Sequence, residues 1–338
     1  MKIVYLLEGT EISGGAKVVL DHAQELARRG HEVVVAGRTP RPGWHPMEGV
    51  PFIEDPDFSR LPAAEAGIAT FWTTVLPAVD SGRFRTVYHF CQGYEGSFPP
   101  YAPIKDKIDA AYALPIPKLL IHSHLEPVLK AAFKSETYTL GQFIDRRLFF
   151  PAATPPPFVP PFRISVVGPY EAELKGVRDA LVGLRLAKQS ASLSVFHASI
   201  SPLSPEELDL GVTDVFLHNL APVQMANHYR ACHLHIQASH RFEGFPLPPL
   251  EAFACGCLPL VSDIPAFVGL PFPKFAVGDA EGLARLVNEL TNDPARCAAA
   301  LRDAAPLLAE MTLERVIDRL EAVLVAPRPS GPKEPSVR

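Results

Sequence analysis

The sequence predicts an α/β protein made of two open α/β domains that face one interdomain cleft. Three observations carry this reading. A continuous apolar run, a glycine turn and an amphipathic helix open the chain; a stretch dense in proline follows near residue 150; and after it the same strand, turn and helix order begins again.

The elements follow in order. Ile3 to Leu7 is an unbroken apolar run, the pattern of a parallel strand buried on both faces. Gly9, Gly14 and Gly15 form the turn, and a helix from about Ala16 to Arg29 carries Val18, Val19, His22, Leu26 and Ala27 on one apolar stripe. Gly30 stops it, and Val33 to Ala36 reads as the next strand. The glycines do not spell Gly-x-Gly-x-x-Gly, so the unit is not read as an NAD site. Shorter strands are expected at Ile68 to Thr70, Thr86 to Phe90 and Leu119 to Ser123. From Phe150 to Pro161 proline density rules out a helix or a central strand, and the segment reads as a stiff linker. Beyond it come a strand at Ile164 to Val167, a turn at Gly168-Pro169 and a helix from Val177 to Gln189. Strands follow at Leu193 to His197, Val215 to His218 and Leu234 to Gln237, with a helix through Met225 to Arg230 between the last two. Leu258 to Val261 is a further strand, and helices over about Glu281 to Leu290, Pro294 to Leu308 and Leu313 to Val323 finish the fold. The polar, proline-rich tail from Pro327 is expected to be disordered.

The 338 residues, 47% of them apolar, suffice for two ordinary domains. A net charge of -5, with 32 Lys+Arg against 37 Asp+Glu and no basic block, argues against wrapping a nucleic acid. Five cysteines with one close pair, Cys255 and Cys257, do not make a zinc ribbon and suit buried, reduced thiols. The opening segment is too short for a signal peptide, and no apolar run is long enough to span a bilayer. The composition leaves peripheral attachment to a membrane open.

The most informative stretch is Glu243-Gly244-Phe245-Pro246-Leu247-Pro248-Pro249-Leu250-Glu251. Two carboxylates flank a Gly/Pro turn. Pro248 or Pro249 suits the first turn of a helix that Gly256 ends. Glu243 then lies in the loop before the helix and Glu251 about one turn inside it. Free N–H groups at a helix start favour an anion, and the carboxylates could hold sugar or ribose hydroxyls. The alternative is a solvated loop Glu and an ordinary first-turn Glu.

In its motifs the chain resembles family 4 of the glycosyltransferases, retaining enzymes with the two-Rossmann-domain GT-B fold. Ser239 to Cys257 carries the resemblance best, with its Ser, Glu-Gly-Phe, Leu/Pro stretch, Glu-Ala and Cys-Gly. Val261-Ser262-Asp263, Gly14-Gly15, Lys175-Gly176 after Gly168, and more faintly Gly141, Ile144-Asp145 and Phe150-Pro151, extend it. The resemblance implies an N-terminal acceptor domain over 1–152, a donor domain over 153–305, a helix over 306–325 packed back on the first domain, and a tail over 326–338. It implies that Glu251 holds the ribose of a nucleotide diphosphate sugar and that Glu243 faces the donor sugar. Backbone N–H groups around Phe245 to Leu247 would meet the sugar and diphosphate, which makes Phe245, Pro246 and Leu247 donor-binding residues. Lys175 would neutralise the leaving diphosphate, with Gly14 and Gly15 allowing close approach. No metal or other cofactor is required on this reading. The partners are the nucleotide sugar and a carbohydrate or lipid-linked acceptor, in surface polysaccharide or glycoconjugate synthesis. The setting is cytoplasmic, with room for attachment at the inner face of the membrane.

Two departures stand out. Pro169, followed by Tyr170, occupies the place where the family carries an Arg, leaving Arg178 and Arg241 as candidate substitutes. The family's Thr-Phe-His segment is replaced by Tyr88-His89-Phe90-Cys91-Gln92-Gly93-Tyr94-Glu95. His89 is the candidate catalytic group there, and Gln92, Glu95 and His122 are candidate contacts for acceptor or sugar. Three other readings stay open: a nucleotide-sugar epimerase, a nucleotide-sugar-binding protein that has lost catalysis, and a scaffold protein with a vestigial cleft.

Overall fold

The computed structural model describes residues 1–326. It contains two separate parallel sheets, each covered by helices on both faces, in the manner of two Rossmann-like domains. The first sheet comprises β1 (Lys2–Leu7), β2 (Glu32–Gly37), β3 (Phe52–Glu54), β4 (Ala64–Ala69), β5 (Phe84–Cys91), β6 (Lys118–Leu120) and β7 (Thr137–Thr139), in the order β3-β2-β1-β4-β5-β6-β7. The second comprises β8 (Phe162–Val167), β9 (Leu193–Ser199), β10 (Val215–His218), β11 (Leu234–Gln237), β12 (Leu258–Ser262) and β13 (Lys274–Phe275), in the order β10-β9-β8-β11-β12-β13. Strand order reverses between β1 and β4 and between β8 and β11, and ligands of open α/β sheets sit at the carboxyl ends beside such reversals.

The apolar runs explain the layering. Along β1, Ile3, Tyr5 and Leu7 join one core and Val4 and Leu6 the core on the opposite face. The helices are α1 (Gly14–Arg28), α2 (Trp72–Asp80), α3 (Lys105–Tyr112), α4 (Leu125–Phe133), α5 (Val177–Ala187), α6 (Pro205–Leu210), α7 (Pro222–Ala231), α8 (Pro248–Ala254), α9 (Ala280–Asn292), α10 (Pro294–Glu310) and α11 (Leu313–Val325). Ser13 caps α1, its hydroxyl accepting from Ala16 N–H at 3.2 Å. No helix among the described residues is long and apolar enough to cross a membrane.

The linker between the sheets has no regular structure over 150–161 and is tied to the second domain. Arg230 of α7 donates to the carbonyls of Leu148 and Phe150 at 2.6 and 2.8 Å, and its guanidinium lies over the Phe150 ring. At the other end, α11 lies on α1. Arg29 bridges Asp318 and Glu321, each at 2.6 Å, and Arg319 donates to the Leu140 carbonyl at 2.6 Å. One apolar core therefore includes Val19, Leu20 and Ala23 of α1, Phe253 of α8, and Ile317 and Leu320 of α11. Helix α10 runs on through Pro306 to Glu310, and the break falls at Met311-Thr312, where Thr312 caps α11. The tail expected to be disordered lies, from residue 327, outside the described residues.

Candidate active site

A cleft of about 750 Å³ separates the two sheets and is lined from both. The first domain contributes Gly14, Gly15, Lys17, Trp44, Gln92 and Asp145; the second contributes Gly168, Pro169, Lys175, Glu243 and Glu251. These residues come largely from the loops that follow the carboxyl ends of parallel strands, so the fold alone delivers them to one place.

The wall of the second domain is built around an ion pair. Lys175 bonds through Nζ to Glu243 Oε1. Gly176 makes this reach feasible: its φ is +62°, and a Cβ there would lie 1.8 Å from the Ala238 carbonyl oxygen. The Lys175-Gly176 turn is therefore pressed onto the end of β11, the strand that leads into the Glu243 loop. His240 N–H donates to the Leu174 carbonyl at 3.0 Å, and Glu243 N–H to the His240 carbonyl at 3.0 Å. Ser262 Oγ donates to the Ser239 carbonyl at 2.5 Å, anchoring the start of that loop on β12. The Glu243 side chain is 5% exposed; its Oε2 is buried and makes no hydrogen bond within the described protein. A carboxylate oxygen withdrawn from water and left unpaired is costly unless a ligand hydroxyl completes it.

Glu251 lies in the first turn of α8 and is partly exposed to the cleft. Burial raises its carboxyl to about 7, opposed by the positive charge of Lys17. Lys17, on the first turn of α1, pairs with Asp21 at 2.6 Å and is thus a cation of the opposite wall facing the same space. Arg147, paired with Asp145 at 3.1 Å, lines the rim. Lys17 escaped the sequence reading, although its place three residues after Gly14 puts it on the same helical face.

Phe245, Pro246 and Leu247 line the cleft beside Glu243, as do Gly14 and Gly15, and Gln92 donates from Nε2 to the Gly15 carbonyl at 3.1 Å. Other expected site residues lie elsewhere. His89 is fully buried in β5, paired in register with Ala69 of β4 and Lys118 of β6, and packs its ring on Tyr112. Burial drives its basicity well below the usual imidazole range, and it is not among the residues that line the cleft. Glu95 is buried too, accepting from the Tyr112 hydroxyl at 2.6 Å, because the chain folds back under α3 after β5. Arg178 opens into a separate depression beside Asp179 and His240, and Arg241 is exposed; neither lines the cleft. His122 stands behind the cleft wall, stacked on Phe245. All five cysteines are buried and free, and among the described residues no group of three or more His, Cys, Asp or Glu is placed to hold a metal ion.

With this geometry in place, the relationships are informative. Residues 204–305, which include Glu243 and Glu251, match the family described as Glycosyl transferases group 1. No curated protein matches the sequence. Sucrose-phosphate synthase from Thermosynechococcus elongatus is similar in structure, with a TM-score of 0.75 at 15% identity, covering 96% of this chain and 98% of that chain. Anabaena Alr3699/HepE in complex with UDP-glucose gives a TM-score of 0.75 at 14% identity, over 96% of this chain and 99% of that chain. WaaG, a glycosyltransferase involved in lipopolysaccharide biosynthesis, gives 0.73 at 11% identity, over 97% and 100%. The fold is thus the GT-B arrangement of two Rossmann-like domains.

Proposed function

We propose that this protein is a retaining glycosyltransferase of family 4 that moves a sugar from a nucleotide diphosphate sugar to an acceptor hydroxyl. One observation carries the reading: a buried carboxylate, Glu243, spends one oxygen on Lys175 and leaves the other unpaired inside an interdomain cleft. Such a group suits a polyhydroxylated ligand, and the lysine beside it suits a departing diphosphate. Support comes from the match of residues 204–305 to group 1 glycosyl transferases and from the likeness to a fold whose Anabaena example holds UDP-glucose.

The roles follow. Glu251 takes the ribose hydroxyls. Lys175, joined by Lys17 from the first domain in place of the family Arg, offsets charge on the diphosphate. The bond from the anomeric carbon to the diphosphate breaks, the acceptor oxygen bonds to that carbon from the same face, and the acceptor proton passes to a diphosphate oxygen. Cations fixed before the reaction stabilise the charge that develops in the transition state more than the ground state. The acceptor is a carbohydrate or a lipid-linked sugar in polysaccharide or glycoconjugate synthesis, and the protein works in the cytoplasm, at the inner face of the membrane when its acceptor is lipid-linked.

A thermal-shift panel of UDP, GDP, dTDP and ADP sugars identifies the donor, and NMR of the product reads its anomeric configuration. Stabilisation by one base class and a retained configuration are expected; an inverted product contradicts the assignment. Pro169 at the family's Arg position favours one second reading, a donor-binding protein without turnover. It binds the nucleotide sugar yet releases no diphosphate with any acceptor.

A further inference from the structure

The loop that carries Glu243 belongs to the second domain, yet the first domain holds it at three points. Gly244 lies against the Gln92 carbonyl, where a Cβ on Gly244 would come within 2.2 Å of the oxygen. The Phe245 ring stacks on His122, with ring centroids 4.3 Å apart and planes 11° from parallel. A Cβ on Gly14 would lie 3.5 Å from Leu247 Cδ1. The first-domain side of these contacts is itself braced. Gln92 is tied to the Gly15 carbonyl at 3.1 Å, and His122 Nδ1 shares a hydrogen bond with His124 Nδ1 at 3.0 Å. Phe245 is 6% exposed and is counted in the core that both domains share.

We propose that His122 and the Gln92-Gly93 turn form a first-domain latch on loop 243–247, and that His122 is a positioning residue that sets Glu243 through Phe245. The chemistry it serves rests on the glycosyltransferase reading, while the latch itself rests on the contacts between domains. The ring of Phe245 follows Glu243 by two residues, so a ring that slides off His122 carries the carboxylate away from Lys175. Burial lowers the basicity of both His122 and His124, which keeps the stacked imidazole neutral and the face-to-face contact free of a desolvated charge. With the two domains in contact, the Glu243 loop is braced at all three points.

The test compares His122→Ala, His122→Phe and Gly244→Ala in the full chain with the wild type by hydrogen exchange of the amides in 243–247, alongside kcat and donor KM. Faster exchange confined to that loop is expected for His122→Ala and Gly244→Ala, with protection of β8 and β11 unchanged and recovery in His122→Phe, which keeps a ring. The same two variants should lose kcat by about 10- to 100-fold with donor KM little altered, since misplacement of a reacting group by about 1 Å costs up to that much. Unchanged exchange in both His122→Ala and Gly244→Ala overturns the latch, as does failure of His122→Phe to recover protection. If the exchange pattern appears but the wild type transfers no sugar from any donor, the latch stands and the glycosyltransferase reading falls.

Discussion

The two walls of the cleft are built from different materials. The second domain offers charged side chains: Lys175 and Glu243 joined directly, and Glu251 one helical turn into α8. The first domain offers close backbone, Gly14 and Gly15 with the Gln92 amide bound to Gly15 O, and charges that already pair among themselves, Lys17 with Asp21 and Arg147 with Asp145. Its more conspicuous polar groups, His89 and Glu95, are buried behind that wall. The difference teaches that the unsatisfied group lies on one side only. The second wall holds a buried carboxylate oxygen without a partner, while the first holds paired charges and close backbone, so substitutions on the two should fail in different ways.

The largest effect is expected at the ion pair. Glu243→Gln keeps size but removes charge beside the reacting sugar, and should lower kcat by about 100-fold or more with the fold intact. Lys175→Ala should lower kcat more than it weakens donor binding, because its charge counts most as the diphosphate leaves. Glu251→Ala comes next and should act on binding. It removes charge-assisted hydrogen bonds worth about 1.5–3 kcal/mol each, which calorimetry of the donor reads directly.

Glu251 also sharpens the comparison through pH. Its folded value is raised from the ordinary 4.5 to about 7, so ionisation within the fold costs stability as pH climbs through that window. On the proposed reading the ionised form accepts both ribose hydroxyls. Donor affinity should therefore rise between about pH 6 and 8 and lose that rise in Glu251→Gln. The smallest catalytic effect is expected at His89→Leu. The ring nitrogens of His89 have no partner among the described residues, so turnover should be unchanged. Its basicity is depressed in the fold, and the unfolded chain takes up the proton first as pH falls below the ordinary 6.5. Thermal melts should show wild-type stability lost on acidification from pH 7 to 5, and less of it lost in His89→Leu.

The same division explains what could be read from the sequence. Strands Val215–His218 and Leu234–Gln237 were legible to the residue because their apolar runs are short and bounded by polar turns. Glu243 and Glu251 were legible as neighbours because they flank a Gly/Pro turn that opens a helix, and the fold sets both at the cleft. Helix Trp72–Asp80 escaped because Pro77 sits inside it, and β3, β7 and β13 because two or three residues show no period. His89 lies within the strand expected at Thr86 to Phe90, and β5 continues to Cys91 and draws it into a three-strand ladder. Gln92, just past that end, is the residue the cleft receives. The contacts of Gly244 with Gln92 and of Phe245 with His122 join residues more than a hundred positions apart, and no local pattern announces them.

The most direct test of the account is a single-turnover measurement of nucleoside diphosphate release from bound nucleotide sugar and acceptor, with wild type and Glu243→Gln compared at equal donor occupancy. The account predicts release by the wild type and release slower by about 100-fold or more in the variant. Equal rates from the two proteins would contradict the claim that the buried carboxylate beside Lys175 acts on the reacting sugar.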